Sequence, residues 1–153
     1  MEEKETQKLT LYDGCILMLI IGVAASVFAP GVTQAVEEMK LSVMVDRLQI
    51  IRSQITLYRA YHNGLLPGQH AAGDAVTCEG FVRAMAQDRP DRSGPYLKEM
   101  PENPYIADPA RRSMITCVND ADARPTGQEQ TGWWFNAATG EFFASDSEFH
   151  TNY

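Results

Sequence analysis

The stretch that decides the predicted fold covers residues 14–36 and has the sequence GCILMLIIGVAASVFAPGVTQAV. These 23 residues lie between Asp13 and Glu37 and carry no charge. A helix rises 1.5 Å per residue and needs about 20 apolar residues to span a bilayer. Residues 15–29 are uniformly apolar rather than striped, which favours lipid or a helical bundle as their surroundings. The stretch therefore predicts a membrane-spanning helix.

A cleavable secretory signal is the competing interpretation of this stretch. Such a signal has a basic leader and a small-x-small cleavage site. The leader here, residues 1–8, reads MEEKETQK and has three acids against two lysines. The apolar run also passes without a loop into a second helical pattern. We therefore predict an anchor that is retained.

Three residues mark features of the predicted helix. Thr10 and Asp13 have the spacing of a capping box, in which Thr10 accepts hydrogen bonds from first-turn amides and Asp13 places a carboxylate near the positive helix end. Pro30 removes one backbone hydrogen bond, so we expect a kink or a weak point there. The alternative is a proline tolerated in a membrane helix.

After Val36 the helical pattern becomes amphipathic and carries two apolar stripes. The first recurs every three or four residues and consists of Leu41, Met44, Leu48, Ile51, Ile55, Tyr58 and His62. The second recurs every seven residues and consists of Val36, Val43, Ile50 and Leu57. One stripe can cover the protein's own sheet, while the other either contacts neighbouring subunits or widens the same core contact. Asn63, Gly64 and Pro67 supply a stop signal.

The remainder of the chain predicts a short helix and a few short strands. The helix covers residues 78–87, and one strand covers residues 113–119 (SMITCVN). Residues 132–136 (GWWFN) and 141–144 (EFFA) predict a hairpin closed by a turn that contains Gly140. The sequence thus predicts an α+β fold in which the long helix packs on an antiparallel sheet of about three strands.

Composition argues against two classes of function. The 153 residues carry a formal net charge of -7, with no basic run beyond Arg111 and Arg112, so we expect no nucleic-acid partner. The three histidines, His62, His70 and His150, are scattered, and no serine or cysteine lies in a nucleophile motif. We therefore predict that the protein is not an enzyme.

Cysteines and tryptophans are the remaining candidate site residues. Cys78 and Cys117 can form a disulfide if this part of the chain lies outside the cytoplasm. Cys15 lies in the apolar run, and we expect it to behave as a small hydrophobe. Trp133 and Trp134 alternate along a strand, so one faces the core while the other is a candidate for contact with a partner.

The order of these elements resembles that of the type IV pilin and pseudopilin superfamily, and in particular the G-type pseudopilin of type II secretion. The resemblance covers nearly the whole chain and rests on an ordered set of motifs: residues 9–13 (LTLYD) before the apolar helix, Pro30 within it, residues 55–67 (ITLYRAYHNGLLP), residues 94–104 (GPYLKEMPENP), and residues 132–136 and 139–141 (TGE) in the closing hairpin.

The resemblance implies a division of the chain and roles for several residues. It implies a leader over residues 1–8, a transmembrane and filament-core helix over 9–36, and an extracytoplasmic domain over 37–153. Its leader junction corresponds to Lys8 and Leu9, where Lys8 replaces the family's usual glycine. Asp13 replaces its usual glutamate.

In the filaments of this family, the acidic residue corresponding to Asp13 pairs with the N-terminal amine of a neighbour, and Pro30 would share the filament core. Without a free Leu9 amine, Asp13 acts as a helix cap alone. G-type pseudopilins also bind calcium, but the spacing of Asp120, Asp122, Asp146 and Glu148 matches no calcium motif, so we predict no metal site or other cofactor.

By resemblance the protein is therefore a structural subunit of a type II secretion pseudopilus or a type IV pilus-like filament. Its partners would be copies of itself or other pilin-like subunits, an inner-membrane assembly platform and the lipid bilayer. It would span a bacterial inner membrane once, with its C-terminal domain outside. The alternative is an unprocessed single-pass accessory subunit that serves as a scaffold in another membrane complex, which Lys8 in place of glycine favours.

Overall fold

The first element, α1 (Leu11–Tyr61), is a helix of 51 residues. The structure is a computed structural model that describes residues 11–87 and 95–153. The chain divides into two compact units, Met1–Met39 and Lys40–Tyr153. The start of α1 belongs to the first unit and its end to the second, and each unit is described by itself.

The prediction of a membrane-spanning first half is wrong. Across residues 11–87 and 95–153, the structure contains no helix with both the length and the apolar character that crossing a bilayer requires. About half of the length of α1 comes from its charged, amphipathic part after Val36. The predicted location, a single pass through a bacterial inner membrane, is wrong for the same reason.

The second unit is built around the C-terminal part of α1. The first apolar stripe faces the interior, and five of its members are buried: Met44, Leu48, Ile51, Ile55 and Tyr58. Leu41 at its start and His62 just beyond the helix are half-buried. The helix stops where Gly64, at φ +83°, donates its N–H to the Arg59 carbonyl at 2.8 Å. This stripe therefore forms one wall of the core.

A three-stranded sheet lies in the same unit, with strands β1 (Ile115–Val118), β2 (Trp133–Asn136) and β3 (Phe142–Ala144) in that order. β2 and β3 pair antiparallel, but β1 runs parallel to β2. The prediction of an antiparallel sheet is therefore wrong. Residues 119–132 are a long crossover connection, which parallel neighbours require, rather than a hairpin turn.

The inner face of the sheet is aromatic and packs against α1 and the short helix α2 (Cys78–Ala86). The Phe81 ring of α2 lies 4.4 Å from the ring of Phe135 and 5.9 Å from that of Phe142, measured between centroids. Trp133 is fully buried, and its indole N–H donates to the Pro101 carbonyl at 2.7 Å. Large aromatic side chains thus line the sheet side of the core, opposite the mainly aliphatic stripe of α1.

The outer face of the sheet is covered as well. Trp134 and Phe143 are cross-strand partners whose ring centroids lie 5.9 Å apart, and Trp134 is only 2% exposed. A Cβ on Gly127, within the β1–β2 connection, would lie 2.2 Å from the Glu148 nitrogen. That connection therefore packs closely against the C-terminal segment of the chain.

Two side-chain anchors fix the loops around the sheet. Asn103 is fully buried and donates from its amide nitrogen to the Gly132 carbonyl at 2.9 Å and to Asp146 Oδ1 at 2.7 Å. A short 3₁₀ helix, Pro109–Arg111, follows in the same connection and is capped by the Asp108 side chain. Asn103 thus holds the proline-rich connector, β2 and the C-terminal segment together.

Side chains contact the chain beside β3 and just past the end of β1. Beside β3, the Arg52 guanidinium of α1 donates from Nε to the Phe142 carbonyl at 2.8 Å and lies 5.5 Å from the Phe143 ring. Burial lowers the pKa of this guanidinium, and the Glu141 carboxylate opposes that shift. Just past β1, the side-chain amide of Asn119 accepts a hydrogen bond from the Val76 N–H at 2.8 Å and donates one to the Val76 carbonyl at 3.2 Å.

Candidate interaction surface

The second apolar stripe of α1 lies on the surface of the second unit. Val43 is 38% exposed, Ile50 50% and Leu57 42%. Residues seven apart differ by about 20° around a helix, so these side chains form one line. Tyr61, one turn beyond Leu57, continues that line and is 72% exposed. We call these four residues the α1 stripe.

The rest of the exposed helix surface is polar and differs clearly from the α1 stripe. Ser42, Gln49, Ser53 and Thr56 are all exposed. The hydroxyls of Ser53 and Thr56 bond the backbone carbonyls of Gln49 and Arg52, at 2.8 and 2.9 Å. The aliphatic residues of the α1 stripe are thus a distinct line beside a face with the usual polar surface composition.

Charged groups border the α1 stripe on one side. A groove of about 530 Å³ runs beside Ile50 and is also lined by Arg47, Glu99 and Glu102. Arg47 donates to the Glu102 carbonyl, and the Glu102 carboxylate lies 3.7 Å from Arg112. An apolar centre next to a charged rim is the usual composition of a protein–protein contact surface.

The first unit exposes apolar side chains in a different pattern. Residues 16–21, ILMLII, are each between 55% and 75% exposed. Six consecutive residues extend more than once around a helix, so apolar groups face every side of this part of α1. A helix that is apolar all round is normally buried in a larger assembly. Val36 and Met39, at 44% and 68%, are also exposed in this unit.

Four of the predicted site residues belong to the N-terminal region. Asp13 lies in the first turn of α1 and is exposed. Pro30 lies within the bounds of α1, at a position where the structure describes only the helical backbone. Lys8 and Leu9, the predicted leader junction, lie outside the described residues. The roles of these four residues in processing and assembly remain predictions.

The other predicted site residues lie in the second unit. Cys78 and Cys117 are joined in a disulfide with their Cα atoms 5.4 Å apart, which links α2 to β1. Trp133 and Trp134 are 0% and 2% exposed. The interpretation of either tryptophan as an interaction surface is therefore wrong, because both faces of the sheet are covered. Cys15 is an exposed free thiol in α1.

The acidic residues near the C-terminus do not form a metal site. The Asp146 side chain is 3% exposed and accepts from His150 Nδ1 at 2.5 Å and from Asn103. In the described part of the chain, no three His, Cys, Asp or Glu side chains are placed to bind a metal ion together. The contact between Asp146 and His150 was not predicted from the sequence, although the two residues are only four positions apart.

Comparison with known proteins adds no assignment to this geometry. The sequence matches no protein-family model and no curated protein, and no solved structure matches the chain. The interaction surface is therefore defined by its own residues alone.

Proposed function

We propose that this protein is a structural subunit of a pilin-like filament, of the kind formed by type II secretion pseudopilins or type IV pilins, and that it turns over no substrate. Subunits would assemble by packing α1 against α1 of neighbouring subunits. The observation that carries the proposal is the exposed α1 stripe of Val43, Ile50, Leu57 and Tyr61. The resemblance of the ordered motifs along the chain supports it independently.

The spacing of the stripe favours another helix as its partner. Apolar residues repeated every seven positions keep facing a second helix along its whole length, because neighbouring helices supercoil slightly around one another. A globular partner would not require that repeat. Each half-exposed Val, Ile or Leu that becomes covered would contribute roughly 1 kcal/mol, since complete burial contributes about 1.5–3 kcal/mol.

The first unit supports the same mode of assembly. Its apolar residues 16–21 face all sides of α1, which suits a position among several helices better than contact with one partner. In this proposal Asp13, which is exposed in the first turn of α1, is the acidic residue that contacts a cation of a neighbouring subunit on assembly, as the resemblance implies.

We expect Ile50→Lys and Leu57→Lys each to weaken self-association of the 153-residue chain at least roughly tenfold. The lysine would place an unpaired charge in the contact between helices. Sedimentation velocity over a concentration series measures the association. Because both positions are half-exposed, the free energy of unfolding should change by less than about 0.5 kcal/mol.

Gln49→Lys provides the matched control, since Gln49 precedes Ile50 on the polar face of the same helix. It should associate like the unaltered chain. Equal association of all three variants and the unaltered chain would exclude α1 packing as the assembly contact. Association that appears only with a different protein, and never between copies, would indicate an accessory subunit instead of a filament subunit.

A further inference from the structure

The end of α1 carries an asparagine followed by a glycine. Asparagine is a chemically labile residue, because its side-chain amide can be attacked by the backbone nitrogen of the next residue. Of the five asparagines in the chain, Asn63 alone precedes a glycine. Glycine has no side chain, so nothing on residue 64 shields that nitrogen from the neighbouring amide. The pair Asn63–Gly64 therefore has the composition that favours deamidation.

The surroundings of this pair are open to water. Asn63 and Gly64 are both exposed, and a Cβ added to Gly64 would have no atom within 4 Å. Within the ranges that the structure describes, the Asn63 side-chain amide has no hydrogen-bond partner. Asn103 and Asn136, by contrast, are fully buried, and the Asn119 amide is hydrogen-bonded. Water can thus reach Asn63 and its side-chain amide is not held.

A backbone hydrogen bond restrains the reactive nitrogen. The Gly64 N–H donates to the Arg59 carbonyl at 2.8 Å. Asn63 and Gly64 both have left-handed backbone conformations, with φ +53° and +83°, as in a helix C-terminal cap. The nitrogen must give up the proton of this hydrogen bond in order to attack the side chain. The cap therefore has to open locally before the reaction can take place.

We propose that Asn63 is a deamidation site whose reaction is gated by the C-terminal cap of α1. The Gly64 nitrogen attacks the carbonyl carbon of the Asn63 side chain, and a new C–N bond closes a succinimide ring. The proton of that nitrogen passes to the leaving amide group, which departs as ammonia. One water molecule then opens the ring and gives aspartate or isoaspartate at position 63. Water is the only co-reactant.

The product changes the end of α1 in charge and in shape. A carboxylate replaces a neutral amide at the C-terminal end of the helix, where the helix dipole disfavours negative charge. The isoaspartate form also lengthens the backbone by one carbon inside the cap. This inference goes beyond the proposed function, because it concerns a covalent change within a single chain and requires no assembly.

Incubation of the folded 153-residue chain in H₂¹⁸O at mildly alkaline pH tests the site. We expect ¹⁸O at position 63, in aspartate and isoaspartate, identified by mass spectrometry of peptides. Asn152 is the matched control, because it is also exposed but precedes Tyr153. It should gain ¹⁸O at least roughly tenfold more slowly, since a side chain obstructs the attacking nitrogen. Label that appears first at Asn152, or at no asparagine, would overturn the proposal.

Comparison with the unfolded chain tests the gate. In guanidinium chloride the cap is absent, so Asn63 should react at least roughly tenfold faster than it does in the folded chain. Equal rates in the folded and the unfolded chain would show that the cap does not restrain the reaction.

A variant of the last turn of α1 provides a second test of the gate. The His62 ring stacks on the Tyr58 ring, with centroids 3.9 Å apart, and its Nδ1 bonds the Tyr58 carbonyl at 2.9 Å. His62→Ala removes both contacts, so the rate at Asn63 in the folded chain, relative to the unfolded chain, should rise about threefold. His70→Ala, at an exposed position of the following loop, should leave that relative rate unchanged. The same relative rate in both variants would overturn the gating by the cap.

Discussion

Replacing Trp133 with alanine is expected to lower the free energy of unfolding by about 3–5 kcal/mol. The indole is fully exposed in the unfolded chain but 0% exposed in the fold, where it lies 5.9 Å from the Phe142 ring between centroids. Its N–H bond to the Pro101 carbonyl, at 2.7 Å, would be lost as well. Urea unfolding followed by circular dichroism measures the change.

Two further variants make this result specific. Trp133→Phe keeps most of the apolar volume but removes the N–H, so it should be clearly milder than alanine. Trp134→Ala should also destabilise the domain, because Trp134 is 2% exposed on the outer face of the sheet. A Trp134→Ala chain with unchanged stability but impaired association would reverse our conclusion that this residue is not an interaction surface.

Removal of the disulfide has the second large expected effect. A chain with Cys78→Ser and Cys117→Ser should lose about 2–4 kcal/mol of stability, because a crosslink restricts the unfolded chain more than the folded one. The bridge spans 39 residues and fixes α2 against β1. Urea unfolding of the unaltered chain, with and without a thiol reductant, should show the same loss.

Cys15→Ser is the control for this measurement, since Cys15 is an exposed free thiol outside the second unit. It should leave the unfolding midpoint unchanged. Equal midpoints for the oxidised chain and the double serine variant would show that the bridge contributes nothing to stability.

The elements that could be predicted from the sequence are those set by local spacing. The repeat of three and four residues from Leu41 to Tyr58 placed one face of α1 in the core, and the seven-residue repeat of Val43, Ile50 and Leu57 marked a second face. Whether that second face was exposed could not be predicted, because periodicity gives the direction of a side chain and says nothing of what covers it.

Sheet topology could not be predicted, because strand pairing depends on long-range packing. Residues 132–144 contain a local hairpin signal, and β2 and β3 do pair antiparallel. No comparable signal fixes the direction of β1, which depends on how residues 119–132 cross the sheet. The burial of Trp134 could not be predicted for the same reason, since segments distant in sequence cover the outer face of the sheet.

The membrane prediction failed for a related reason. Uniform apolarity in residues 15–29 is compatible with lipid and with a helical bundle, and composition does not distinguish the two.

The contact of Arg52 with the β3 edge of the sheet has a consequence for behaviour at high concentration. An open edge strand is a template on which other chains add strands, and this is the route to irreversible fibrils. Here Arg52 binds the Phe142 carbonyl beside β3, and Asn119 binds Val76 just past β1. A strand that added to the β3 edge would have to displace Arg52 from the Phe142 carbonyl, which disfavours cross-β growth of crowded copies at this edge.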